Sequence, residues 1–184
     1  MKSDLKLLLR ALEFAAEKHR KQRRKDRAAS PYINHPIALA KLLTLEGGVS
    51  DPKILAAALL HDTIEDTKTT YDELRSAFGP RVANAVLEVT DNKRLWKHTR
   101  KRLQIVHAPR LSRDAKLVKL ADKTCNLRDL GERPPVGWNK KRRRQYFEWA
   151  KQVVDGLRGT NRRLEAAFDA AYARRPRLNV RKSR

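Results

Sequence analysis

Apolar residues recur along this chain at helical spacing, and nowhere do they show the strict alternation that half-buried strands need. Leu8, Ala11, Leu12 and Ala15 fall at i, i+3, i+4 and i+7, which predicts an amphipathic helix running to about Gln22. From Arg23 to Asn34 the period fails and Pro31 intervenes, marking a basic loop that delivers His35 and Pro36 to the start of a second helix. Gly47-Gly48 can end that helix. Asp51 before Pro52 then reads as an N-cap, with proline at the first helical position of a third. This third helix carries Ile54, Leu55, Ala58 and Leu59 and runs into the polar cluster that begins at His61.

Further along, Thr69 with Asp72 reads as a capping box for a short helix that stops at Phe78-Gly79-Pro80. Val82, Ala85, Val86 and Val89 start the next at once. Asp91 to Ala108 is polar and helical only in part. Ser112 can cap a largely buried helix containing Leu117, Val118, Leu120 and Ala121, which continues through Asp122 and Asn126 to Gly131. Beyond Pro134-Pro135 a long helix spans about 139–157, and Leu164, Phe168 and Tyr172 mark the last. The pattern predicts an all-α, single-domain bundle of about eight to ten helices. Residues 1–173 are expected to form the domain and residues 174–184 a flexible basic tail.

A chain of 184 residues can enclose a real core unaided. Cys125 is the sole cysteine, which excludes an internal disulfide and points to the cytoplasm by default. Lys2, Asp4, Lys6 and Arg10 break up the leading leucines, so neither a signal-peptide core nor a membrane span is expected. Charge alters the picture most. A formal net charge of +22 predicts attraction to polyanions: nucleic acid, an anionic membrane or a highly phosphorylated small molecule. The basic residues crowd 19–27, 140–144 and 174–184.

His61-Asp62-Thr63-Ile64-Glu65-Asp66 places one imidazole and three carboxylates directly after the apolar Ala56–Leu60. If helical geometry persists there, His61 lies above Glu65 and Asp62 above Asp66. The plainer reading is a histidine capping a helix beside acids that neutralise lysines. Carboxylates gathered in so apolar a setting without a cation are costly, which favours a metal. An adjacent His and Asp are too few ligands. His35, at a loop-to-helix junction, and Asp122, on a buried helix, are the candidates to complete the set, although alone each reads as an ordinary histidine or a salt bridge to Lys119 or Lys123.

His35, then His61-Asp62, then Asp122 follow the order of the HD-domain metal-dependent phosphohydrolases. More narrowly, Tyr32-Ile33-Asn34-His35-Pro36, the run from Ala57 to Thr67, and Lys119-Leu120-Ala121-Asp122-Lys123 with Asn126-Leu127-Arg128 resemble the hydrolase domain of the RelA/SpoT alarmone enzymes. The small stand-alone alarmone hydrolases, metazoan members included, are the nearest in form. The similarity extends from about Ala11 to Ala170 and departs at Thr124 and Cys125. The length leaves no room for a synthetase domain, so hydrolysis without alarmone synthesis is expected.

The resemblance implies one manganese ion held by His35, His61, Asp62 and Asp122. Glu65 and Asp66 act as the acid/base pair, and pyrophosphate is removed from the 3′ position of guanosine 5′-di- or triphosphate 3′-diphosphate. Arg24 and Lys25 would then flank the base or sugar beside Tyr32. Lys97, Arg142 and Tyr146 would meet phosphates, and Asn126 the nucleoside. On the same site, adenosine alarmones or NADPH are the alternative substrates. From another class, the charge suggests a basic nucleic-acid-binding module with a vestigial HD site, ranked lower because every ligand and acid/base residue is present.

Overall fold

The computed structural model describes residues 2–177, which form ten α-helices and no strand beyond a single bridge between Arg23 and Pro31. In chain order these are α1 (Lys2–Lys18), α2 (Asn34–Lys41), α3 (Pro52–Leu60), α4 (Thr63–Asp66), α5 (Tyr71–Phe78), α6 (Pro80–Val89), α7 (Lys97–His107), α8 (Arg113–Glu132), α9 (Lys140–Asp155) and α10 (Arg162–Ala173). A π-helical turn, Leu42–Glu46, prolongs α2, and the left-handed Gly48 (φ +67°) ends it. No described helix is long and apolar enough to cross a membrane.

At the centre lies α3, buried from Ile54 to Leu60 because beyond Lys53 no face of it carries a polar residue. It packs against α1, α2, α6 and α8. The long α8 is the second hub, touching α2, α6, α9 and α10. Its capping hydroxyl is Ser112, which accepts from the Ala115 N–H at 3.2 Å, and Asp51 caps α3 in the same way at 2.9 Å. In contrast, α7 contributes no buried residue and lies against α9, where Trp149 Nε1 donates to the Lys101 carbonyl at 3.0 Å.

Three local expectations change. First, α1 ends at Lys18 rather than near Gln22, because the Gln22 N–H turns back to the His19 carbonyl at 2.8 Å. Second, α5 is capped by Thr70, which accepts from the Glu73 N–H at 3.2 Å; Thr69 is buried and bonded to Thr67 instead. Third, the helix does not run unbroken from α3 through the acidic cluster. Asp62 (φ −100°, ψ 0°) breaks it, and α4 restarts one residue later. At the C-terminal end, residues 174–177 are tied down: Arg175 lies over the Tyr172 ring and Arg144 donates to the Pro176 carbonyl at 3.3 Å. The rest of the tail, 178–184, lies outside the described residues.

Candidate metal centre

His35 is the second residue of α2, His61 and Asp62 form the break between α3 and α4, and Asp122 sits midway along α8. The contacts of α2 and α8 with α3 bring these three places together. Ligand atoms of His35, His61 and Asp62 lie within 4.8 Å of one another. His35 Nε2 is 3.3 Å from Asp122 Oδ1, and His61 Nε2 is 2.9 Å from Asp62 Oδ2. The Nδ1–H of His61 donates to the Ala58 carbonyl at 2.9 Å, which fixes the tautomer and leaves the Nε2 lone pair facing the acids. That Nε2 and Nδ1 of His35 are buried without a hydrogen-bond partner. Two imidazoles and two carboxylates converging around unpartnered nitrogens fit a divalent transition-metal ion.

Electrostatics agree with that fit. Burial lowers the His35 pKa and so keeps the imidazole neutral, as a ligand must be. Burial alone would raise Asp62, but the adjacent His61 outweighs it and holds the carboxyl well below its usual range. For Asp122 burial is overcome by Lys123 and His35. Burial opposes charge on His61 as well, yet Asp62 and Asp122 raise its pKa, so the pocket attracts positive charge. Asp122 therefore does pair with Lys123, at 2.9 Å, as the plainer reading had it, while its other oxygen turns to His35 and Asn126.

Glu65 and Asp66 line the same cavity of about 230 Å³ as the four ligand candidates. Glu65 accepts from the Asp91 N–H at 2.9 Å, and burial pushes its carboxyl up to about 7. Asp66 is held by Lys93 on one oxygen and by Gln22 Nε2 at 3.0 Å on the other. A larger cavity of about 440 Å³ adjoins the first, sharing Arg24, Tyr32, His35, Asp66, Asn126 and Tyr146 with it. Lys25 lines the larger one alone. Arg24 pairs with Asp129 at 2.7 Å and lies over the Tyr32 ring, and the Tyr32 hydroxyl donates to Asp62.

Lys97 and Arg142 line neither cavity. Arg142 is exposed and stacks 4.3 Å from the centre of the Trp138 ring, which lines the larger one. Both belong instead to a group of cations around Lys101, whose pKa burial lowers and Lys97, Lys123 and Arg142 lower further. Lys101 itself rests 4.5 Å from the centre of the Trp149 ring. Sequence reasoning passed over Lys101, Asp129 and Trp138, and took Lys123 only as an ion-pair partner for Asp122. Asp129 carried a signal, since 122, 126 and 129 share one helical face; Trp138, in an aperiodic loop, carried none.

The chain is similar to known proteins of one family. The HD-domain family model covers residues 11–149. The chain is 57% identical over 172 residues to the guanosine-3′,5′-bis(diphosphate) 3′-pyrophosphohydrolase MESH1 of Xenopus tropicalis, covering 94% of this chain and 96% of that one. It is 57% identical over 175 residues to MESH1 of Homo sapiens, covering 95% and 98%. Among solved structures it resembles a metazoan orthologue of SpoT, described as hydrolysing ppGpp and playing a role in starvation responses. The TM-score is 0.89 at 50% identity, covering 94% of this chain and 97% of that one.

Proposed function

Because the chain belongs to the HD-domain family and, within it, to the guanosine-3′,5′-bis(diphosphate) 3′-pyrophosphohydrolases of RelA/SpoT type, we propose that it is a manganese-dependent alarmone hydrolase. It takes guanosine 5′-di- or triphosphate 3′-diphosphate to GDP or GTP and pyrophosphate. The observation that carries this reading is the convergence of His35, His61, Asp62 and Asp122 on one cavity wall, with Glu65 and Asp66 beside them.

At this position a bound divalent ion supplies Lewis acidity, polarising a phosphoryl oxygen and acidifying water. The chain's own groups do the rest. A water oxygen attacks the phosphorus next to the 3′ oxygen, the P–O3′ bond breaks, and the 3′ oxygen ends protonated. Glu65, half-buried with its carboxyl near neutral pKa, is suited to take a proton from water and return one to the leaving oxygen. Asp66, clamped by Lys93 and Gln22, orients the water. The larger cavity is of nucleotide size. There Arg24, Lys25 and Tyr32 flank the base or sugar and Asn126 the nucleoside. Tyr146, with Lys97, Lys101 and Arg142 behind it, faces the phosphates, and three cations held close together suit such a ligand.

The test is turnover by the purified, manganese-loaded protein on guanosine alarmones, adenosine alarmones and NADPH. Pyrophosphate released from the guanosine compound, and lost in His61→Ala, is the expected result. Preference for an adenosine compound or NADPH would reassign the substrate on the same site. Absence of any released phosphate or pyrophosphate, together with salt-sensitive nucleic-acid binding indifferent to His61→Ala, would establish the vestigial reading instead.

A further inference from the structure

On the side of Asp66 away from Lys93 lies a short relay of polar groups, Gln22 half-buried and His19 buried behind it, and the proposed reaction has not used His19. His19 is 2% exposed, and its Nδ1 is 2.6 Å from Gln22 Oε1. Gln22 Nε2 in turn donates to Asp66 Oδ2 at 3.0 Å. The turn after α1 fixes both residues: the Gln22 N–H binds the His19 carbonyl at 2.8 Å, and the Gln22 carbonyl accepts from the Tyr32 N–H at 3.2 Å. The His19 ring also lies against Tyr32, centroids 4.8 Å apart.

The two ends of an amide are chemically unlike. Nε2 only donates and Oε1 only accepts, and an ionised carboxylate only accepts. Gln22 therefore serves Asp66 in one of its two flipped orientations; the other would set lone pairs against lone pairs. His19 decides between them. With Nδ1 protonated it donates to Oε1, which obliges Nε2 to face Asp66. Its own Nε2 is buried without a hydrogen-bond partner, so a second proton there would go unsatisfied.

We propose that Gln22 is a positioning residue for Asp66 and that His19 sets the orientation of its amide. The inference rests on the water-orienting role of Asp66 in the proposed reaction. A charge-assisted hydrogen bond from a locked amide holds one carboxylate oxygen and leaves Oδ1, with Lys93, to meet water and substrate. Loss of that lock lowers the rate of the chemical step and leaves nucleotide binding as it was.

Steady-state kinetics on guanosine 3′,5′-bis(diphosphate) with manganese-loaded protein separate the possibilities. Gln22→Leu removes the donor, Gln22→Glu sets a carboxylate against Asp66, and His19→Phe keeps a ring against Tyr32 without Nδ1–H. Each should lower kcat by about ten-fold or more, with KM within about two-fold and metal content unchanged. His19→Asn, whose side-chain NH2 can stand where Nδ1–H stood, should recover most of the loss. Full kcat in Gln22→Leu, a rise in KM alone, or a fall in His19→Asn as deep as in His19→Phe would overturn the proposal. Should His19→Phe fail to fold, the two Gln22 variants decide. Asp66→Asn in the same assay tests the premise separately: if it retains full activity, the water-orienting role of Asp66 falls and this inference with it.

Discussion

Nε2 of His35 lies 3.3 Å from Oδ1 of Asp122, joining the first turn of α2 to the middle of α8 across 87 residues of sequence. Neither side chain can be replaced without opening the centre. Asp122→Asn and His35→Ala should each drop manganese from about one per chain to near zero by elemental analysis, and abolish pyrophosphate release, while far-ultraviolet circular dichroism stays helical.

Chelation should act on stability as well as on rate. A ligand that binds the folded state alone stabilises it by about 2.7 kcal/mol at a hundred-fold excess over its Kd. Removing manganese with a chelator should lower Tm by several degrees, and adding it back should restore both Tm and turnover. His61→Ala should melt at one temperature with or without the metal.

Glu65 gives a pH dependence with a defined sign. Burial pushes its carboxyl up from an ordinary 4.5 to about 7, against the Asp91 N–H and with help from Asp62, Asp91 and Asp66. Because the folded protein holds this proton more tightly than the unfolded chain, its contribution to stability is full below about 4.5 and is lost as pH rises through about 7. Thermal melts of metal-free protein across that window should show a steeper decline in the wild type than in Glu65→Gln.

On the substrate side, Lys101→Ala should raise KM by about ten-fold, the worth of roughly one charged contact, with kcat little changed. Arg24→Ala should do the same, and it also removes the 2.7 Å ion pair with Asp129. Initial-rate measurements over a range of nucleotide concentration distinguish these from the metal-side variants, which lose kcat.

The cap of α5 offers a check on the fold alone. Thr70→Ala should cost about 1 kcal/mol, the usual value of an N-cap hydroxyl, measured by urea unfolding. Activity should be unaffected once the protein is folded.

Thr69 and Thr70 also show where the sequence was ambiguous. Two adjacent threonines precede two acids, Asp72 and Glu73, so either pairing satisfies a capping pattern, and burial of Thr69 in the core decides for Thr70. The apolar run of α3 and the His61-Asp62 pair at its end were legible because each is local: an unbroken apolar stretch must be buried, and the polar residues at its end must surface at a pocket. The break at Asp62 was not legible, since nothing in the residue types distinguishes a continuing helix from one that restarts at Thr63. His35 and Asp122 stood out by their places in the chain, but only family order tied them to that pair, because their meaning lies in a contact between distant helices. Lys101 was invisible for the opposite reason. With no residue of α7 buried, no apolar period marks which of its positions face inward.

That same bareness of α7 sets it apart from the helices that carry the metal-site residues. Every proposed ligand to the metal stands on or beside a helix packed into the core, so change there strikes folding and chemistry together. A substitution at an exposed position of α7 such as Lys97 instead costs the fold little, within roughly ±0.5 kcal/mol. Arg100 and Gln104 are the exceptions on this helix, since Arg100 lies 3.8 Å from Glu65 and Gln104 lines the metal-site cavity, so only the outer positions of α7 can change without touching the hydrolytic machinery.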